Sequence, residues 1–156
     1  MVDDKTRRDV ALQDYEAQSA EALARIEYQV DYSKALLNAL TVGNGGAILA
    51  ILTFIGNTGA KVAPATMKGA FIGYGVGLAC VFAAYAAGFF TQFYFYRAAQ
   101  EQAWNAQAAA LAAQPEYDPM PSMHRGNIAL GLAIALAMAS LVAFVWASLL
   151  AIEALT

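Results

Sequence analysis

Charge is missing from nearly half of this chain: residues 35–56, 69–96 and 127–152 contain no acidic or basic side chain. Without a carboxylate, lysine or arginine inside these stretches there is no proton relay of the usual intramembrane kind and no pair of carboxylates for acid–base work. Cysteine is limited to Cys80, which excludes a disulfide framework and any Cys/His metal cluster. In the middle of an apolar stretch a thiol behaves as a small apolar group rather than as a thiolate. Histidine is limited to His124, and one imidazole does not make a metal site. No nucleophile stands near a base, so the sequence argues against an enzyme, and no residue set calls for a metal or another cofactor. The net charge of -3 comes with no basic face, which argues against nucleic-acid binding.

What the chain has instead is apolar length. Of its 156 residues 60% are hydrophobic and 13% charged, a balance found in membrane proteins rather than in soluble domains. A helix rises about 1.5 Å per residue, so each of the three uncharged stretches can cross about 30 Å of hydrocarbon. The expected fold is therefore an all-α membrane protein with three transmembrane helices, at about 35–56, 69–96 and 127–152. Residues 1–34 are expected to form a cytoplasmic amphipathic helix, and residues 97–126 a cytoplasmic connector that begins as an extension of the second span. In the arm, Leu12, Tyr15, Ser19, Ala22, Ile26, Val30, Ser33 and Leu37 advance by alternating steps of three and four, a narrow seam that predicts a helix running into the first span. Asp4 with Arg8 and Glu21 with Arg25 are acid-before-base pairs one turn apart, which support a solvated helix. The arm is expected to pack on a copy of itself or on the connector; the alternative is a helix lying on the membrane surface, which its acidic side chains disfavour on anionic lipid. Ala63-Pro64-Ala65 has the small-residue look of a cleavage site, but the apolar run before it is too long for a signal peptide, and the first span is expected to be retained.

Cationic side chains set the expected orientation. Lys5, Arg7, Arg8, Arg25, Lys34, Arg97 and Arg125 fall on one side, and only Lys61 and Lys68 on the other, so the N-terminus is expected to be cytoplasmic and the C-terminus periplasmic. Phe89, Phe90, Phe93, Tyr94, Phe95 and Tyr96, followed by Arg97, form an aromatic belt of the kind found where a span meets the headgroups. Tyr94, Tyr96, Arg97, His124 and Arg125 are the expected interface anchors. Beyond Arg97 an alanine-rich helix should continue to about residue 114, before Pro115, Pro119 and Pro121 break regular structure over 114–123.

Lipid is as apolar as the helices it surrounds, so helices associate in it by close approach, which small residues four apart permit. The first span carries Ala35, Ala39, Gly43 and Ala47. The second carries Gly69, Gly73 and Gly77 on one row and Gly75, Ala79, Ala83 and Ala87 on another. The third carries Gly131, Ala135, Ala139, Ala143, Ala147 and Ala151. Gly69, Gly73, Gly77, Gly131, Ala135 and Ala139 are the candidate packing residues. Each four-residue step drifts by about 40° on a straight helix, so a long row winds away from one contact unless the helices supercoil. Three helices offer little interior for so many small faces, which predicts a homo-oligomer. Asn38, Thr41 and Asn44 bring polar groups into the first span, where they need partners, with Gly43, Gly45 and Gly46 between and beside them. Two readings stand: Asn44 hydrogen-bonds to a neighbouring helix that the glycines let approach, or this stretch lines a pore or polar site. Gln92 is a candidate partner in either.

Residues 40–56, with Asn44-Gly45-Gly46-Ala47 near their start, resemble the first span of small uncharacterised proteobacterial inner-membrane proteins that pair an N-terminal amphipathic helix with an Asn-Gly-Gly-Ala span. The resemblance implies a bacterial inner membrane and no particular activity. Two non-enzymatic classes remain in view. One is a self-assembling protein whose oligomer forms a pore or lesion, as holin-like and defence-effector-like membrane proteins do. The other is an accessory subunit that packs against another membrane protein.

Overall fold

In a computed structural model the backbone is described for residues 4–110, 114 and 116–155, and the side chains for residues 27, 30–102, 104–105, 114 and 116–155. The chain is all-helical, with α1 at Asp4–Thr58, α2 at Pro64–Ala110 and α3 at Met120–Leu155. Each contains a segment long and apolar enough to cross a membrane: Val30–Thr58, Pro64–Gln102 and Met120–Leu155. The side chains of the arm seam from Leu12 to Ile26, its two acid–base pairs and the distal alanines of α2 lie outside the described set.

The chain divides into two units, residues 1–38 and 39–156. In the first, Lys34 approaches Asp31 at 3.7 Å, with both side chains about two-thirds exposed, a pairing that contributes little to stability. The second unit holds the three-helix packing.

Short caps set the turns of this second unit. Gly59, at φ 62°, takes the left-handed position after α1 and donates its N–H to the carbonyl of Ile55 at 3.0 Å, while the Thr58 hydroxyl binds back to the Phe54 carbonyl. Pro64 then opens α2 at a position where a missing N–H is harmless. The loop is therefore residues 59–63, shorter than the sequence suggests, and Lys68 belongs to α2. Ala63 N–H donates to the carbonyl of Ala154 at 3.0 Å, tying this loop to an otherwise open end of α3. At the other end Asp118 caps α3, its carboxylate accepting from Met120 N–H at 3.0 Å. Helix α3 thus starts earlier than residue 127, and Pro121 sits in its first turn, where proline is tolerated, rather than in a break.

A seven-residue repeat organises the packing. On α2 Ala70, Gly77, Ala84, Thr91 and Ala98 are all buried, interleaved with buried Met67, Tyr74 and Val81. On α3 Gly126, Ser140, Ala147 and Ala154 are buried on the same period, with Ala133 half-buried. Steps of three and four that close every seven residues keep a seam in register only when helices wind around each other with a left-handed supercoil. The two helices are antiparallel: Gly69 meets Leu150, Gly73 meets Ala147 and Gly126 meets Phe95. Met67, Ala70, Tyr74, Ala147, Ala151 and Ala154 form a core near the 59–63 loop, onto which Ala47, Ile48, Ile51 and Ile55 of α1 pack.

Candidate functional site

The polar centre of the second unit is Asn44, which is fully buried. Its amide nitrogen donates to the Leu40 carbonyl at 2.9 Å and to Ser140 Oγ at 3.2 Å. The first bond is a local one within α1; the second crosses to α3. Its Oδ1 has no hydrogen-bond partner among the described residues. A Cβ built on Gly77 would fall inside this amide, so Oδ1 rests on the bare Cα of Gly77, whose C–H is at most a weak donor. Three helices meet at one carboxamide because α2 has no side chain there. This is the hydrogen-bonded arrangement, and it uses Ser140 instead of Gln92. Gln92 lies 15 residues along α2 from Gly77, about 22 Å away on a helix, and its side chain is exposed. Asn38 is exposed and Thr41 half-buried.

Hydroxyl groups supply the other crossings. Ser148 Oγ donates to the Phe144 carbonyl at 2.8 Å, which leaves Tyr74 OH to donate to Ser148 at 3.0 Å. The Tyr74 ring meets Phe144 at 5.9 Å between centroids, and Phe144 in turn covers Gly43 of α1. Near the connector, Glu101 is 7% exposed and uses both oxygens: Arg97 Nε donates to Oε1 at 2.9 Å and Ser122 Oγ to Oε2 at 3.0 Å. The carboxylate thereby clasps α2 to α3. Further out, Asn105 binds the connector backbone with its Oδ1 accepting from Glu116 N–H and Tyr117 N–H and its Nδ2 donating to the Tyr117 carbonyl, while Trp104 packs on Tyr117 with centroids 4.9 Å apart.

The candidate packing residues divide into two groups. Gly73 and Gly77 are buried inside the chain: a Cβ on Gly73 would lie 2.8 Å from the Ala147 Cβ, and a Cβ on Gly69 would lie 3.1 Å from Leu150. Gly131, Ala135 and Ala139 face outward, as do Gly75, Ala79 and Ala83 of the second row on α2. Neither Gly75 nor Gly131 has anything within 4 Å of a built Cβ. The drift of four-residue steps accounts for the split. The α3 row starts exposed at Gly131, is half-buried at Ala143 and is buried at Ala147 and Ala151. Of the expected anchors, Tyr94 is half-buried and Tyr96, Arg97, His124 and Arg125 are exposed. Sequence reasoning passed over Ser140, Ser148, Tyr74, Glu101 and Ser122. The signal for Ser140 was available, since Gly126, Ala133, Ser140, Ala147 and Ala154 stand seven apart. Among the described residues no three His, Cys, Asp or Glu side chains gather as a metal would require.

Fold and junction together define a class, a helical protein with three membrane-length apolar helices locked by buried polar crossings. No protein-family model, curated protein or solved structure matches the chain.

Proposed function

We propose that the chain is a non-enzymatic integral membrane protein that self-associates through its open small-residue rows, Gly75, Ala79 and Ala83 on α2 and Gly131, Ala135 and Ala139 on α3. The observation that carries this reading is their outward placement: six small residues in two rows are exposed, in a chain that uses Gly73, Gly77 and Ala147 for its own packing. Small residues at a surface let a second helix approach to backbone distance, which is the main attraction available in lipid. The assembly belongs in a bacterial inner membrane with residues 1–34 and the connector cytoplasmic, by the distribution of Lys and Arg. Because Asn44 is closed inside one chain, a conducting path in such an assembly runs between copies and not along the polar face of the first span.

The test is the mass of the purified full chain in mild detergent, beside the variants Ala79→Leu and Ala135→Leu. An oligomer that either variant dissociates supports the reading. A parent chain that is monomeric at every concentration, or an oligomer indifferent to both variants, refutes it. Stoichiometric co-purification of a different membrane protein, lost in the same variants, transfers these faces to the accessory-subunit reading. Dye release from vesicles by the parent alone separates a pore from a silent assembly.

A further inference from the structure

Arg97 and Arg125 each stand one residue before a buried position of the α2–α3 seam, Ala98 on α2 and Gly126 on α3. In an antiparallel pair a two-fold axis perpendicular to the plane of the helices relates them, so residues with the same offset from the seam project to the same flank. Both arginines are offset by about 100° to that shared flank. They also share a depth, because the Phe95–Gly126 and Glu101–Ser122 contacts bracket them along the axis. The flank is not the one that α1 occupies: Phe144, which covers Gly43, lies four residues after Ser140 and therefore turns to the opposite side of the seam.

Followed away from the arginines in steps of seven, this flank is apolar and open. Phe90, Ala83 and Val76 line it on α2, and Leu132, Ala139 and Trp146 line it on α3; all six are exposed and fall within the membrane-length segments. At its charged end Arg97 is held by Glu101 through Nε, yet its side chain remains 57% exposed. Arg125 is exposed and has no ion pair or hydrogen bond among the described residues. Two arginines share this end of the flank with one carboxylate, Glu101, which Arg97 and Ser122 occupy, so the place keeps a net positive charge. Asp118, seven residues before Arg125 and about 10 Å further out, is engaged as the cap of α3.

We propose that this flank is a binding site for an anionic phospholipid, with the phosphate between Arg97 and Arg125 and the acyl chains along the exposed apolar residues beside the seam. Guanidinium groups suit phosphate because their parallel N–H donors match its oxygens in pairs, and Glu101 fixes one of them in advance. Basic places between helices at the membrane boundary are where anionic headgroups are held. The walls are aliphatic and aromatic at bilayer depth, which an acyl chain fills and a soluble anion does not. The site does not require self-association; it shares Ala83 and Ala139 with the open rows, so lipid and a second copy compete for that part of the flank.

The test uses the full chain in mild detergent, titrated with short-chain phosphatidylglycerol, phosphatidylcholine or inorganic phosphate and followed by native mass spectrometry and thermal shift. Arg125→Gln is the main variant, because Arg125 makes no ion pair or hydrogen bond among the described residues; Arg97→Gln also exposes Glu101 to loss of its partner and serves as the second. The parent is expected to prefer phosphatidylglycerol over phosphatidylcholine, Arg125→Gln to reduce that preference about fivefold, and Arg125→Lys to retain more of it than Gln. Ala139→Trp, which fills the apolar flank, is expected to weaken both lipids alike. Equal binding of the two lipids by the parent, a preference unchanged in Arg125→Gln, or displacement of the lipid by equimolar inorganic phosphate would each overturn the assignment.

Discussion

Replacing Gly77 by alanine tests the junction most directly. The added methyl would lie 2.7 Å from Asn44 Cγ and 3.0 Å from Nδ2, so the whole amide stands in its way. Either Asn44 changes rotamer and gives up Ser140, or α1 and α2 separate locally. Inserting a methyl group into a packed interior costs about 1–3 kcal/mol. An interhelical hydrogen bond in a membrane protein contributes about 0.6 kcal/mol, and a buried amide left without its partner adds about 1–3 kcal/mol. Against these losses stands the helix preference of alanine over glycine, about 1 kcal/mol. The expected net loss is at least about 2 kcal/mol. Gly75→Ala supplies the control for the monomeric chain, since a Cβ there meets nothing within 4 Å of its own chain and only the helix preference remains, a gain of up to about 1 kcal/mol. Reversible unfolding in mixed micelles with increasing dodecyl sulfate, followed by circular dichroism, should therefore separate the two variants by about 3 kcal/mol. Stabilities within about 0.5 kcal/mol of each other would show that Asn44 does not occupy the Gly77 notch. A cycle with Asn44→Ala adds a further condition: removing the amide should absorb most of the cost of Gly77→Ala, whereas additive losses would mean that the two residues do not touch.

Two further substitutions probe the connector end. Ser122→Ala leaves Glu101 Oε2 without its donor while Arg97 still holds Oε1, and the expected loss is about 1–2 kcal/mol in the same micellar titration; an unchanged midpoint would refute the clasp. Asn105→Ala removes three hydrogen bonds that hold residues 116–117 against α2, so amide exchange at Glu116 and Tyr117 should accelerate while α3 beyond Met123 keeps its protection. Equal exchange in both proteins would assign the connector's position to Trp104 and Tyr117 alone.

The three spans were legible because uncharged length is a strong signal and because nothing in the chain competes with it. The glycine row of α2 was legible in part for a physical reason. Gly73 and Gly77 are four apart and both buried, but the contact continues from Gly77 by sevens to Ala84, Thr91 and Ala98, whereas two further steps of four lead through buried Val81 to exposed Tyr85. A glycine attracts the eye where a serine does not, so Ser140 was hidden in an alanine-rich helix although it answers Asn44. Glu101 was hidden by its exposed neighbours Gln102 and Arg97, since burial of one carboxylate on a polar stretch depends on what α3 brings to it. The helix ends were illegible at Pro121 because proline stops a helix from within and is tolerated in its first turn, and only Asp118 distinguishes the two cases.

The difference between four-residue rows and a seven-residue seam bears on what the open faces can do. A row that drifts by about 40° per step is inward at one end of a helix and outward at the other. On α3 this makes a single run of small residues serve two neighbours, α2 through Ala147 and Ala151 and the surroundings through Gly131, Ala135 and Ala139. On α2 the second row does the same in reverse order along the membrane, outward at Gly75, Ala79 and Ala83 and inward by Ala87. Because the helices are antiparallel, the outward part of the α2 row and the outward part of the α3 row stand at different depths, the first near the 59–63 loop and the second toward the connector. A second copy that matched small face to small face would therefore have to pair the α2 row of one chain with an equivalent row at the same depth, or contact α2 and α3 rows by separate interfaces. Two separate interfaces on one chain build rings or longer arrays, whereas one self-matching row builds only a dimer. Loss of all association on Ala79→Leu alone indicates the dimer; loss of only the larger species indicates the two-interface assembly, the form that a path between copies requires.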